Sequence, residues 1–247
     1  MNKTLSSVFI SGLPTGIVLV LAMILFSCSH PNTIENKNRG YGTKNGDSAG
    51  HPVTAAGQTG SGEIISDTLG TADLPASITY KGKPVKVMSW NDKLGDNLLL
   101  LTETGEFASA DSTEYPDNRD AELHVYHYVK AGSAWQKIAT INDQINSCPV
   151  DIVTRFVPGA LFITDLDGNG IAEATFAYQL TCTGGVDNKV MKLIMLENKK
   201  KYVIRGTTTV DMGEKIPGTM KYEAEIPAAF KIFMIKQWKA FETEHLH

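Results

Sequence analysis

Between Val85 and Arg205 the chain alternates short apolar runs with clusters of Gly, Asp and Asn, the signature of strands joined by tight turns. Four runs come first: Val85 to Trp90, Leu98 to Thr102, Glu122 to Val129 and Trp135 to Ile141. Four more follow at Leu161 to Thr164, Glu173 to Leu180, Val190 to Glu197 and Lys201 to Arg205. Trp90-Asn91-Asp92 and Thr164-Asp165-Leu166-Asp167 occupy matching places in the two halves. The layout predicts two four-stranded antiparallel meanders related by duplication, an arrangement that is partly propeller-like but too small to close. Near the C-terminus the period changes. Pro227 suits the first helical position, and Phe230, Phe233, Met234, Trp238 and Phe241 recur at three- and four-residue spacings, so an amphipathic helix is expected there. Its expected use is to cover one face of a sheet; a partner-binding or membrane-surface helix is the alternative. The predicted class is mainly β (α+β), with the helix packed on the sheet.

The first residues read differently. Lys3 precedes an apolar run from Ile17 to Phe26 that stops at Ser27-Cys28, the profile of an export signal. Leu25-Phe26-Ser27-Cys28 resembles a bacterial lipobox, which implies cleavage before Cys28 and lipidation of that thiol. Attachment to a membrane would follow through the acyl chains, and an uncleaved anchor helix over Val8 to Ser27 is the other reading. Residues 28–75 are rich in Gly, Asn, Ser and Thr and are expected to form a flexible tether. Gly40 to Gly46 lacks the spacing of a phosphate loop and belongs to that tether. The division is therefore 1–27 signal peptide, 28–75 tether and 76–247 a β-rich domain.

The full chain carries a net charge of −4. Without residues 1–27, which hold one lysine and no acid, 22 basic and 27 acidic residues remain, so nucleic acid is not an expected partner. With Cys28 assigned to lipid, Cys148 and Cys182 are left as an even pair in an exported chain. They form either a disulfide or two buried thiols.

The densest chemistry lies in Asp165-Leu166-Asp167-Gly168-Asn169-Gly170-Ile171-Ala172-Glu173. Oxygen donors fall at positions one, three, five and nine, with the backbone carbonyl of Ile171 at seven, which is how a short loop wraps a hard cation. Asp165, Asp167, Asn169, Ile171 and Glu173 are the candidate ligands, and calcium is the expected ion. Magnesium demands stricter octahedral geometry and gives up water less readily. Position twelve is Phe176 rather than the Glu of an EF-hand, and strand-like runs flank the loop where an EF-hand has helices. A plain polar hairpin turn is the alternative. Asp165-Leu166-Asp167 is also a DxD, but no strand/helix alternation supplies the nucleotide-binding sheet that a glycosyltransferase would need.

No GxSxG elbow or HExxH helix is present. His124 and His127 share a strand but point to opposite faces, so one ion cannot take both. His124, Tyr126 and Tyr128 lie on one face with Glu122 and form a possible glycan-contact row, although a half-buried sheet face uses the same residues.

The Trp90/Asp92 segment with Leu98 to Thr102, Leu123 to Tyr128, Cys148 to Ile152, the hairpin over 162–178, Met191 to Met195 and Lys201 to Gly206 together resemble a family of small exported Bacteroidota proteins. That family bears a surface polysaccharide biosynthesis label, without an established catalytic residue to carry over. Thr183 departs from it, since His follows the second Cys in many members. The Asp165 loop separately resembles the calcium loops of integrin-like, FG-GAP-type propellers. The resemblance implies an exported, calcium-stabilised and non-catalytic lipoprotein acting in surface polysaccharide (lipopolysaccharide or capsule) biosynthesis or assembly. Envelope glycan or an envelope protein would be its partner, and the acid-poor segment Ser29 to Ile34 after the Cys points to the periplasmic face of the outer membrane. An enzyme acting on envelope glycan, hydrolase or transferase, is the alternative.

Overall fold

The computed structural model describes residues 64–246. The expected signal peptide, Cys28 and most of the expected tether lie outside the described residues. Among the described residues, fourteen elements besides one short 3₁₀ turn at Thr71–Asp73 build two five-stranded antiparallel sheets, one three-stranded sheet and a single helix.

The first sheet consists of β1 (Ser66–Thr68), β2 (Lys83–Asp92), β3 (Gly95–Ala108), β4 (Arg119–Ala131) and β5 (Ala134–Cys148), adjacent in that order. In the second, β6 (Asp151–Thr164), β7 (Glu173–Thr183), β8 (Val190–Glu197) and β9 (Lys200–Thr207) run in sequence, and β12 (Thr219–Tyr222) closes its edge. Each predicted meander is thus present, with one short strand added. The three-stranded sheet joins β10 (Thr209–Asp211), β11 (Lys215–Ile216) and β13 (Thr243–His245), the last parallel to β10. These short strands escape a sequence reading because two to four residues carry too little alternation to register.

The two large sheets pack face to face. Trp90, Leu99, Leu101, Leu123 and Val125 meet Ala174, Phe176, Tyr178, Leu180, Ile194 and Leu196 in one buried layer. The opposite faces are covered as well, so the strands read as unbroken apolar runs where a one-sided sheet would alternate. In β3, Leu99 and Leu101 enter the inter-sheet layer, while Leu98 and Leu100 join Val87, Ile78, Tyr126 and Tyr128 on the outer face. In β8, Ile194 and Leu196 face the first sheet, and Met191, Leu193 and Met195 face the helix.

That helix, α1, spans Ala228–Phe241. Pro227 sits one place earlier than expected, as the N-cap, with extended ψ of 145°. Phe230, Met234 and Trp238 stand at i, i+4 and i+8 and are buried on the second sheet, and Phe233 and Phe241 pack edgewise and obliquely on Phe162. The helix is therefore a cover on the sheet.

Two expectations change. Residues 64–75, expected in the tether, belong to the domain: Ile64 packs on the inter-sheet core, β1 pairs with β2, and Leu69 and Leu74 pack on the outer face of the first sheet. Apolar residues this widely spaced bury themselves without leaving a periodic trace. The tyrosine row also serves the core: Tyr126 and Tyr128 are buried, with Tyr128 donating to the Thr79 carbonyl at 2.6 Å and Tyr126 accepting from the Lys81 N–H at 3.0 Å. Their ring faces are not open for a sugar to stack on.

Cys148, at the end of β5, is joined to Cys182 in β7 by a disulfide with Cα atoms 5.8 Å apart, so the bond links the two sheets. Closing 34 residues of chain contributes roughly 3 to 4 kcal/mol in the chain-entropy model.

Candidate metal centre

The loop between β6 and β7 turns back on itself through Gly168 and Gly170, at φ +71° and +79°, where a side chain would be strained. This turn draws Asp165, Asp167 and Glu173 together, with one oxygen from each lying within 4.8 Å of the others. Oxygens sharing one calcium at 2.3–2.6 Å lie at most about 5 Å apart, so the cluster has the dimensions of a coordination shell.

Part of each carboxylate holds the loop. Asp165 Oδ2 accepts the Gly170 N–H at 3.1 Å, Asp167 Oδ1 accepts the Asn169 N–H at 3.1 Å, and Glu173 Oε2 accepts Leu166 N and Thr164 Oγ1, both at 2.9 Å. The remaining oxygens of the two buried acids, Asp165 Oδ1 and Glu173 Oε1, have no hydrogen-bond partner. Asp165 is 6% and Glu173 0% exposed, so these are bare acceptors away from water, a costly state unless a cation completes them. Burial pushes the Glu173 carboxyl up to about 7, and the nearby Asp167 charge adds to that against the hydrogen bonds from Leu166 and Thr164. Among the described residues, the one ammonium seen against the loop, that of Lys93, donates to the Asn169 carbonyl.

The other two predicted ligands are placed differently. Asn169 turns its amide nitrogen to Asp167 Oδ2 at 3.0 Å and Glu197 Oε1 at 2.7 Å, while its amide oxygen accepts the Ile171 N–H at 2.6 Å. As oriented, Asn169 ties the loop together and fixes Ile171 beside it. Glu197, buried on β8, is a further carboxylate at the site that no spacing in the sequence announces, because pairing of β7 with β8 brings it opposite Glu173.

The matching turn of the first sheet explains why one half keeps a cluster and the other does not. Asp92 accepts Leu94 N at 2.8 Å and Asn97 Nδ2 at 2.9 Å on one oxygen, and Trp90 Nε1 and Ala172 N, both at 3.0 Å, on the other. Its charge is spent on four donors. The bond to Ala172 reaches across to the loop of the second sheet, so the two turns are locked together.

Asn97 carries this network inward to His127, whose Nε2 lies 2.9 Å from the Asn97 amide oxygen. Because Asn97 Nδ2 donates to Asp92, its oxygen must accept, and His127 is the Nε2–H tautomer with a buried, unpartnered Nδ1. Burial lowers its pKa to about 4, with Asp92 pulling the other way. An unfolded histidine takes its proton near 6.5, so the unfolded state binds more protons between those values and stability falls as pH drops through that window. Between pH 7 and 5 the wild type should lose about 2 kcal/mol more than His127→Gln in urea unfolding. Parallel pH profiles would show that the imidazole is not held neutral.

His124 lies on the other face of β4, in a shallow hollow of about 470 Å³ with Lys81, Glu122, Tyr126, Lys137, Asn142 and Asp143. Of the expected glycan-contact row, His124 and Tyr126 line it, and Tyr128 does not. His124 Nδ1 sits 2.8 Å from Asn142 Oδ1 and Nε2 3.1 Å from Glu122. Both carboxylates of the hollow are engaged, Glu122 by Lys81 at 2.6 Å and Asp143 by Lys192 and the Tyr178 hydroxyl. A second hollow of about 480 Å³, between the sheets where β6 bulges, contains one carboxylate, Glu103, which accepts the Phe156 N–H. The DxD pair sits in an antiparallel hairpin and not in a parallel nucleotide-binding sheet.

Comparison of the chain with family models, with curated proteins and with solved structures gives no match.

Proposed function

We propose that the protein is an exported, lipid-anchored and non-catalytic module, held by one calcium ion, that assists surface polysaccharide assembly by binding envelope glycan or an envelope protein. The observation that carries the ion is the pair of buried, unpartnered oxygens on Asp165 and Glu173 within a three-carboxylate cluster. Such a site fits an exported protein, because loops of this kind in extracellular modules hold calcium at roughly 10⁻⁴ to 10⁻³ M. Export itself is supported by the Lys3 to Cys28 pattern, and the link to polysaccharide by the family resemblance of residues 85–243. The non-catalytic reading is supported by the polar hollow beside His124: a glycosidase needs two facing carboxylates free to act, whereas Glu122 and Asp143 are each tied to cations. The polar hollow with Lys137, Asn142 and Gln144 is the proposed glycan-contact surface, replacing the buried tyrosine row.

Deletion of the gene should shorten or deplete lipopolysaccharide or capsule on gels, and complementation with the wild type should restore it. A Lys137→Ala and Gln144→Ala double variant should complement less well while folding normally. Unaltered polysaccharide in the deletion strain would remove this function.

A further inference from the structure

Lys93 belongs to the first sheet, at the tip of the β2–β3 turn, yet it is fastened to the ion loop of the second. Its backbone N–H donates to the Gly170 carbonyl at 2.9 Å, and its ammonium donates to the Asn169 carbonyl. Gly170 leaves room for the approach: a Cβ there would stand 2.6 Å from Lys93 Cε and 3.0 Å from Nζ. A positive charge is thus strapped against the loop whose carboxylates converge within 4.8 Å, while two of their buried oxygens stay bare.

We propose that Lys93 is a built-in competitor of the metal ion, setting the affinity of the site. With no ion bound, the ammonium partly balances the acidic loop. When a divalent cation enters, the same charge repels it and holds the affinity in a weak range. This rests on the metal reading of the loop. For charges of +1 and +2 several ångströms apart in a water-like dielectric, Coulomb's law gives a penalty of about three- to tenfold in affinity, reduced by salt because Lys93 is exposed. The side chain alone is at issue, since every variant keeps the backbone bond to Gly170.

Calorimetric titration of calcium chloride into the full chain in detergent micelles tests this with wild type, Lys93→Gln and Lys93→Arg. Lys93→Gln should bind about three- to tenfold more tightly, with the gap closing as sodium chloride is raised, and Lys93→Arg should stay within about twofold of wild type. Unchanged or weaker binding by Lys93→Gln, or tightening by Lys93→Arg as well, would make the lysine a mechanical strap and overturn the proposal. Failure of the ion site itself looks different: wild type and variants alike would give no calcium heat and no thermal shift, and the role of Lys93 would fall with it.

Discussion

The protein should unfold at a distinctly higher temperature in calcium than in a chelator. Without an ion, the loop holds three carboxylates with oxygens within 4.8 Å of one another, two of them with buried oxygens that nothing bonds. An ion that binds the folded state alone stabilises it by about 2.7 kcal/mol at a free concentration one hundred times its dissociation constant. In a domain of this size that corresponds to a midpoint shift of roughly 5 to 10 °C. Asp165→Asn with Asp167→Asn separates a metal site from a merely structural turn, because Asn keeps acceptors for the Gly170 and Asn169 N–H groups while removing two charges. In chelator the double variant should be at least as stable as the wild type, since the repulsion is gone. In calcium it should show no shift. Identical wild-type midpoints in calcium and chelator, or a shift that survives the double substitution, would leave the loop as a polar turn. Magnesium at the same concentration should give a smaller shift, because a site of protein oxygens with two deeply buried acids asks the ion to shed much of its water.

What could be read in advance follows from how local each signal is. All eight strands of the two meanders were visible because each is a run bounded by Gly, Asp or Asn, and Leu98 to Leu101 needs no partner to declare a strand buried on both faces. The Asp165 loop was visible because its donors are close in sequence. Lys93, Asp92 and Glu197 were not, since they reach the loop through the packing of one sheet on the other or through the β7–β8 pairing, and nothing in their neighbourhoods points across such distances. The place of Asp92, matching the loop of the second half, is legible from the repeated layout. What the sequence could not convey is that its carboxylate is consumed by four N–H donors, one of them from the other sheet. Tyr126 and Tyr128 failed for a related reason. An amphipathic ring serves a wet face and a buried one equally well, and the cover is the segment around Leu69, Leu74 and Ile78, which carries no regular pattern.

Trp238→Ala should be among the most damaging single substitutions in the domain, at about 3 to 5 kcal/mol. Trp238 is 0% exposed at the centre of the layer where Ile226, Phe230 and Met234 meet Ala160, Ala177, Met191, Leu193, Met195 and Ile204, and the methionines and alanines around it are too small or too few to close so large a void. Its indole N–H has no partner there, so its contribution is packing alone. Trp238→Phe keeps most of the ring volume and removes the unsatisfied donor, and it should cost well below the alanine variant. Ile232 sits on the same helix but is 71% exposed, so Ile232→Ala should change stability by no more than about 0.5 kcal/mol. Urea unfolding of the three variants distinguishes a cover from a docking helix. A helix evolved to leave the sheet for a membrane or a partner would give a small loss for Trp238→Ala, comparable with Ile232→Ala, because its contacts with the sheet would be dispensable. A large loss confined to the buried stripe of Phe230, Met234 and Trp238 makes the helix part of the core.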